Sequence, residues 1–148
     1  MTASSAMRSW SDVVTVTPRE TVWHVVELLA DKRIGAVPLL DGERIIGVMS
    51  ERDLICALRT HCPAMMEWTI DRVMTSPALT VTPDTTVLVA LSMMTRRRVR
   101  HLPVVEGDRV IGFVSIGDLV KSRLDQIEQD AGAMRADIQG DYERHINS

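Results

Sequence analysis

A chain of 148 residues, 45% apolar and 25% charged, has the composition of an ordinary globular protein and suits one compact domain or two half-domains sharing a core. Its formal charge of −3 argues against a general nucleic-acid binder, which needs a basic surface to neutralise phosphates. No apolar run approaches the roughly 18–20 residues that span a bilayer, and "MTASSAMRSW" lacks a signal-peptide core, so the expected address is the cytoplasm with no membrane partner.

In chain order, "VVTVT" reads as a short strand ending at a Thr-Pro turn. Val22, Val25, Val26 and Leu29 then form an apolar stripe at helical spacing, with Thr17 or Thr21 as the cap. "AVPLLDGERIIGVM" reads as two strands joined by an Asp-Gly turn, whose glycine supplies positive φ. A second helix is predicted from Ser50. Residues 55–77 connect onward, with "HCPAMMEW" irregular and "TIDRVMTSP" leading into the second half of the chain. Cys56, His61 and Cys62 lie close together here, but without a Cys-x-x-Cys pair they read as free thiols on a linker rather than a metal site.

The pattern then starts again. "ALTVT" is a strand, and Val87, Ala90, Leu91 and Met94 are the stripe of a helix. "LPVVEGDRVIGFV" is a hairpin with Glu-Gly at its turn, and a helix begins at Ser115. Residues 14–54 align with 79–119 without a gap, and fifteen of the paired residues are identical, among them Pro38/Pro103, Gly42/Gly107 and Gly47/Gly112. Each copy is a β-α-β-β-α unit. A unit of about 50 residues buries too little surface to stand alone comfortably, so two copies are expected to pack sheet against sheet around one core. The predicted boundaries are 8–58 for repeat one, 59–72 for a linker, 73–122 for repeat two and 123–148 for a helical extension. From the end of repeat two into that extension, Val120, Leu124, Ile127, Ala131, Met134 and Ile138 recur at heptad spacing, weakened by Gly132 and Gly140. Such a stripe packs either on its own domain or, the reading favoured here, on a second subunit.

Both copies carry Gly-x-x-Ser-x-x-Asp-Leu, as "GVMSERDL" and "GFVSIGDL". Taken alone, Ser50 with Asp53 and Ser115 with Asp118 are capping boxes, each side chain satisfying an orphan amide of the first helical turn. Gly47 and Gly112, at the strand ends, leave room for a ligand against the backbone. A carboxylate one turn into a helix also suits the two hydroxyls of a ribose, and the helix N-terminus beside it suits a phosphate.

The phrases "TVTP…TV", "AVPLL"/"LPVV", "IIGVMSERDL" and "VIGFVSIGDL", four in order and twice over, resemble the CBS-domain family across roughly residues 8–122, in particular small bacterial proteins made of one tandem pair. The resemblance implies an α/β (α+β) fold with pseudo-two-fold symmetry and a cleft for an adenosine compound such as AMP, ADP, ATP, NAD(H) or S-adenosylmethionine. It implies the ribose role for Asp53 and Asp118, with Ser50 and Ser115 facing phosphate, and Thr15 and Thr80 of the TVTP runs join the candidate set. It further implies a homodimer that regulates a separate effector protein, with no catalysis and no catalytic cofactor. Nor does the sequence hold a Ser/His/Asp or Cys/His set, a P-loop or a metal-spaced cluster.

Pro38 and Pro103 interrupt strands and remove a backbone donor. The backbone groups of Ala36 and Val37, and of His101 and Leu102, are therefore candidates to read an adenine edge; an edge strand guarded by proline is the alternative. Repeat one is small at this point (Gly35, Ala36), whereas repeat two is cationic (Arg100, His101), following Arg96, Arg97 and Arg98. Repeat one is thus the expected adenosine pocket, with Arg98, Arg100 and His101 meeting its phosphates, although cations at a helix end also simply offset the macrodipole. Arg52 is a further phosphate candidate, and Gly117 replaces it in repeat two. Trp10, Trp23 and Trp68 are expected in the core or an interface. The competing function is a dimeric scaffold that needs no ligand.

Overall fold

The computed structural model describes the backbone of residues 1–146 and the side chains of residues 1–132 apart from Ser9. The chain opens with a turn of helix, α1 (Ala3–Ala6), and a two-residue strand, β1 (Arg8–Ser9). Repeat one follows as α2 (Val22–Lys32), β2 (Ala36–Asp41), β3 (Arg44–Ser50) and α3 (Glu51–His61). Repeat two is α4 (Val87–Arg97), β4 (His101–Glu106), β5 (Arg109–Ser115) and α5 (Ile116–Ile146). No helix among the described residues is long and apolar enough to cross a membrane.

Local chemistry explains each element. Thr21, not Thr17, caps α2, accepting from the His24 N–H at 3.1 Å, and Thr86 caps α4 through Val89 N–H at 3.2 Å. Both helices end on an arginine in the left-handed region, Arg33 at φ 52° and Arg98 at φ 55°. The hairpins turn at Gly42 (φ 65°) and Gly107 (φ 64°), where a side chain would be strained. Each pair carries the same irregularity, between Leu39 and Leu40 and between Val104 and Val105.

The predicted first strand of each repeat shrinks to a single parallel bridge, Val16 with Leu39 and Val81 with Val104. Val16 donates to Pro38 O and accepts from Leu40 N–H, and Val81 does the same with Pro103 O and Val105 N–H. The next bond along the ladder would need an N–H from Pro18 or Pro83, and the preceding one an N–H from Pro38 or Pro103. Four prolines thus hold these ladders to one rung each.

The segment ahead of each repeat crosses to close the other one. Ala3 N–H donates to Thr85 O at 2.7 Å and Val87 N–H to Met1 O at 3.2 Å, fastening the N-terminus to repeat two. In the same geometry Ile70 N–H donates to Glu20 O at 2.7 Å and Val22 N–H to Trp68 O at 2.9 Å, fastening the connecting segment to repeat one. Strand β1 then adds to β5 and β4, giving a three-stranded sheet beside the two-stranded β2–β3. Ala3, Met65 and Ile70 are fully buried by these crossings.

Buried residues fall into two clusters, one per repeat, rather than the single core expected. The first centres on Val22, Val25, Leu39, Met49 and Ile70, the second on Val87, Met94, Leu102, Val114 and Leu119. Each sheet buries one face under its own helices and is closed by the crossing segment, while β3 meets β5 where the repeats join. The crossing also corrects the reading of Gly47 and Gly112, which make room for protein rather than ligand. A Cβ on Gly47 would lie 2.8 Å from both Met74 Sδ and Thr75 O, and one on Gly112 would lie 3.2 Å from Arg8 O. Thr75 O is backbone held by Val48, so it cannot yield easily. Gly47→Ala is expected to cost about 1–3 kcal/mol in urea denaturation. Gly132→Ala, on α5 with open space around it, should instead raise stability by up to about 1 kcal/mol.

Candidate ligand cleft

The strand register places Ser50 opposite Ala36 and Ser115 opposite His101, so each serine ends a strand and starts a helix. Asp53 N–H donates to Ser50 Oγ and Ser50 N–H to Asp53 Oδ2, both at 3.1 Å. In repeat two, Asp118 N–H donates to Ser115 Oγ at 3.1 Å and Ser115 N–H to Asp118 Oδ2 at 2.9 Å. Both capping boxes are therefore formed. One carboxylate oxygen is engaged in each, and an ionised carboxylate has about four acceptor sites in all. The second oxygen of each carboxylate has no bond in its capping box.

Two cavities open beside these aspartates. The larger, about 910 Å³, has Ser50, Arg52, Asp53 and Cys56 on one wall and Arg97, Arg98, Arg100 and His101 of repeat two on the other. The smaller, about 210 Å³, is its counterpart: Phe113, Ser115 and Asp118 face Arg33, Gly35 and Ala36 of repeat one. The crossing segments complete the walls, with Ala78 and Leu79 in the larger cavity and Arg8, Val13 and Val14 in the smaller. Each cavity thus takes its aspartate from one repeat and its facing wall from the other. Gly35 and His101 line both.

The remaining predicted residues lie elsewhere. Thr15 is exposed and Thr80 half-buried, and neither lines a cavity. Val37 and Leu102 are fully buried in their cores. The carbonyls of Pro38 and Pro103 are taken by Val16 and Val81. Trp23 is 54% exposed on α2, whereas Trp68 holds the Arg72 guanidinium 3.9 Å from its ring centre and His61 edge-on. Sequence reasoning missed Arg8, Arg33 and Phe113. Arg33 carried a signal, being identical to Arg98 across the repeat; Arg8 lies ahead of the aligned region and comes into place only through the crossing.

His101 sits where the cavities meet, its ring stacked on Phe113 with centroids 5.7 Å apart and planes 17° from parallel. Burial holds its pKa below the ordinary 6.5; Asp118 and Glu51 pull it partly back, and Arg100 and Arg8 push it further down. The imidazole is therefore neutral at pH 7. As pH falls below 6.5 the unfolded chain takes up a proton that the fold resists, so stability is full above that value and declines through the window beneath it. Melting at pH 7.5 and pH 5.5 should show a smaller acid-induced loss in His101→Gln than in the wild type.

Comparison with known proteins agrees with this architecture. The CBS domain profile matches twice, over residues 3–60 and 70–125. A mitochondrial CBS domain-containing protein of Arabidopsis thaliana, CBSX3, is 31% identical over 143 residues, which cover 93% of this chain and 68% of that protein. Among solved structures, a CBS-domain protein of Agrobacterium tumefaciens is similar with a TM-score of 0.76 and 30% identity, covering 83% of this chain and 99% of the other. CBSX2, solved in complex with AMP, gives a TM-score of 0.74 at 26% identity, covering 86% of this chain and 98% of its own. With two matched domains spanning most of its length and two repeats in its fold, this chain belongs to the CBS-domain family as a tandem pair.

Proposed function

We propose that the chain is a regulatory, non-catalytic module that senses an adenine nucleotide of the AMP, ATP or NAD(H) kind, acting in the cytoplasm as a homodimer on a separate effector protein. The observation that carries this reading is the larger cavity. Its volume of about 910 Å³ suits a nucleotide-sized ligand, and it opposes the Asp53 carboxylate on one wall to Arg98 and Arg100 on the other. In the proposed pose the Asp53 oxygen not engaged by Ser50 accepts from ribose hydroxyls. The Ser50 hydroxyl and the first amides of α3 face the phosphate, with Arg52, Arg98, Arg100 and His101 around it. Ile55, Ala78, Leu79 and Val99 supply apolar surface for the base. Four arginines against Glu51 and Asp53 on the walls favour an anionic nucleotide over cationic S-adenosylmethionine. The AMP bound by the related CBSX2 supports the same ligand class.

The dimer is supported by α5, where Val120 (44%), Leu124 (55%) and Ile127 (48%) stay exposed along one stripe; the side chains of Met134 and Ile138 lie outside the described residues. Ligand held by both repeats would favour one arrangement of the pair or dimer, a population shift that a partner reads. The alternative is a ligand-independent scaffold, in which the two capping boxes serve only their own helix ends.

Calorimetry with AMP, ATP and NADH separates the two. Sensing predicts saturable binding, weakened at least tenfold by Asp53→Asn and several-fold by Arg100→Ala, with the nucleotide recovered unchanged. Ligand at 100 times its Kd should stabilise the wild type by about 2.7 kcal/mol. No heat and no thermal shift with any of the three would leave the scaffold.

A further inference from the structure

The two cavities are counterparts under the repeat, yet their volumes are about 910 and 210 Å³. Two side chains differ in bulk at matched places beside the serines. On the sheet next to Ser50, repeat one carries Ala36 and Val48; in the same places next to Ser115, repeat two carries His101 and Phe113. His101 pairs with Ser115 and Pro103 with Phe113, so the two rings are diagonal neighbours on one face of the hairpin, within reach of each other. They stack, and Phe113 is 7% exposed. The imidazole also reaches the opposite repeat: a Cβ on Gly35 would lie 3.2 Å from His101 Cε1. Two flat rings therefore stand where repeat one has the smaller Ala36 and Val48.

We propose that the chain occupies its own second pocket: the His101–Phe113 stack closes the slot beside Asp118, leaving one nucleotide site per chain, beside Asp53. This inference rests on the nucleotide reading of the larger cavity. The closed side retains polar groups suited to a ligand, Ser115 and Asp118 with the cations Arg8 and Arg33, so the rings rather than missing contacts keep it shut.

Titration of the full chain with AMP and with ATP tests the point. The wild type should bind one nucleotide per chain, weakened at least tenfold by Asp53→Asn and less than twofold by Asp118→Asn. The double variant His101→Ala/Phe113→Val, which writes the repeat-one residues into repeat two, should bind two at saturating nucleotide, the Asp53 site more weakly because His101 also lines it, and adding Asp118→Asn should return it to one. Two sites in the wild type, a wild-type site lost with Asp118→Asn, or a single site in a double variant whose circular dichroism is native would each overturn the inference. Should the double variant fail to fold, the Asp53→Asn and Asp118→Asn pair still decides, because both leave the His101 and Phe113 rings in place. Absence of any binding to the wild type is distinguishable from these results and takes down the nucleotide reading together with this inference.

Discussion

Each repeat is completed by chain that precedes the other. Residues 1–8 bond to the start of α4 and to β5, and residues 68–75 bond to the start of α2 and to β3. Neither hairpin with its helices has a finished edge until that exchange is made, and the buried Ala3 and Ile70 would otherwise be exposed. The exchange ties the halves together although each keeps its own apolar cluster. It also places the walls of both cavities, because Pro77–Leu79 and Arg8–Val14 run past the mouths on their way to the opposite repeat.

Within that frame, each aspartate closes a capping box and lines a cavity at once. A helix N-terminus leaves amides without partners, and Ser50 with Asp53 satisfies two of them reciprocally. The same bonds hold the carboxylate at the cavity wall in a defined orientation, which lowers the ordering cost of receiving a ligand. A cap of this kind is worth about 1 kcal/mol to the fold, so finding it formed says little for or against a ligand. What distinguishes the two capping boxes is the space beside them.

That space follows from divergence on a duplicated backbone. Register, bulge, glycine turn and cap are matched between the hairpins, so the backbone offers two nearly equal slots. The side chains then make them unequal. Ala36 and Gly35 stand where His101 and Arg100 stand in the other copy; His101 lines both cavities and Arg100 the larger one. His101 is the clearest case, with one face on Phe113 and the other edge against Gly35, and burial keeps it uncharged at the junction.

Much of this was legible in the residues. The repeat, the helix stripes ending at Leu29 and Met94, the hairpins at Gly42 and Gly107, and the Ser/Asp caps all depend on neighbours within a few positions, where periodicity and turn chemistry act directly. Two features were decided by tertiary structure. The crossing segments correspond at a shift of 67 rather than 65 residues, Met1 matching Trp68 and Ala3 matching Ile70 in their bonds, so the gapless repeat passes over them. Thr15 and Thr80, candidates in the sequence, lie outside both cavities. Local pattern determined which half-units form; which wall faces which aspartate depended on where distant chain crosses, since that choice is made by burial of Ala3, Met65 and Ile70 rather than by any preference of the residues alone.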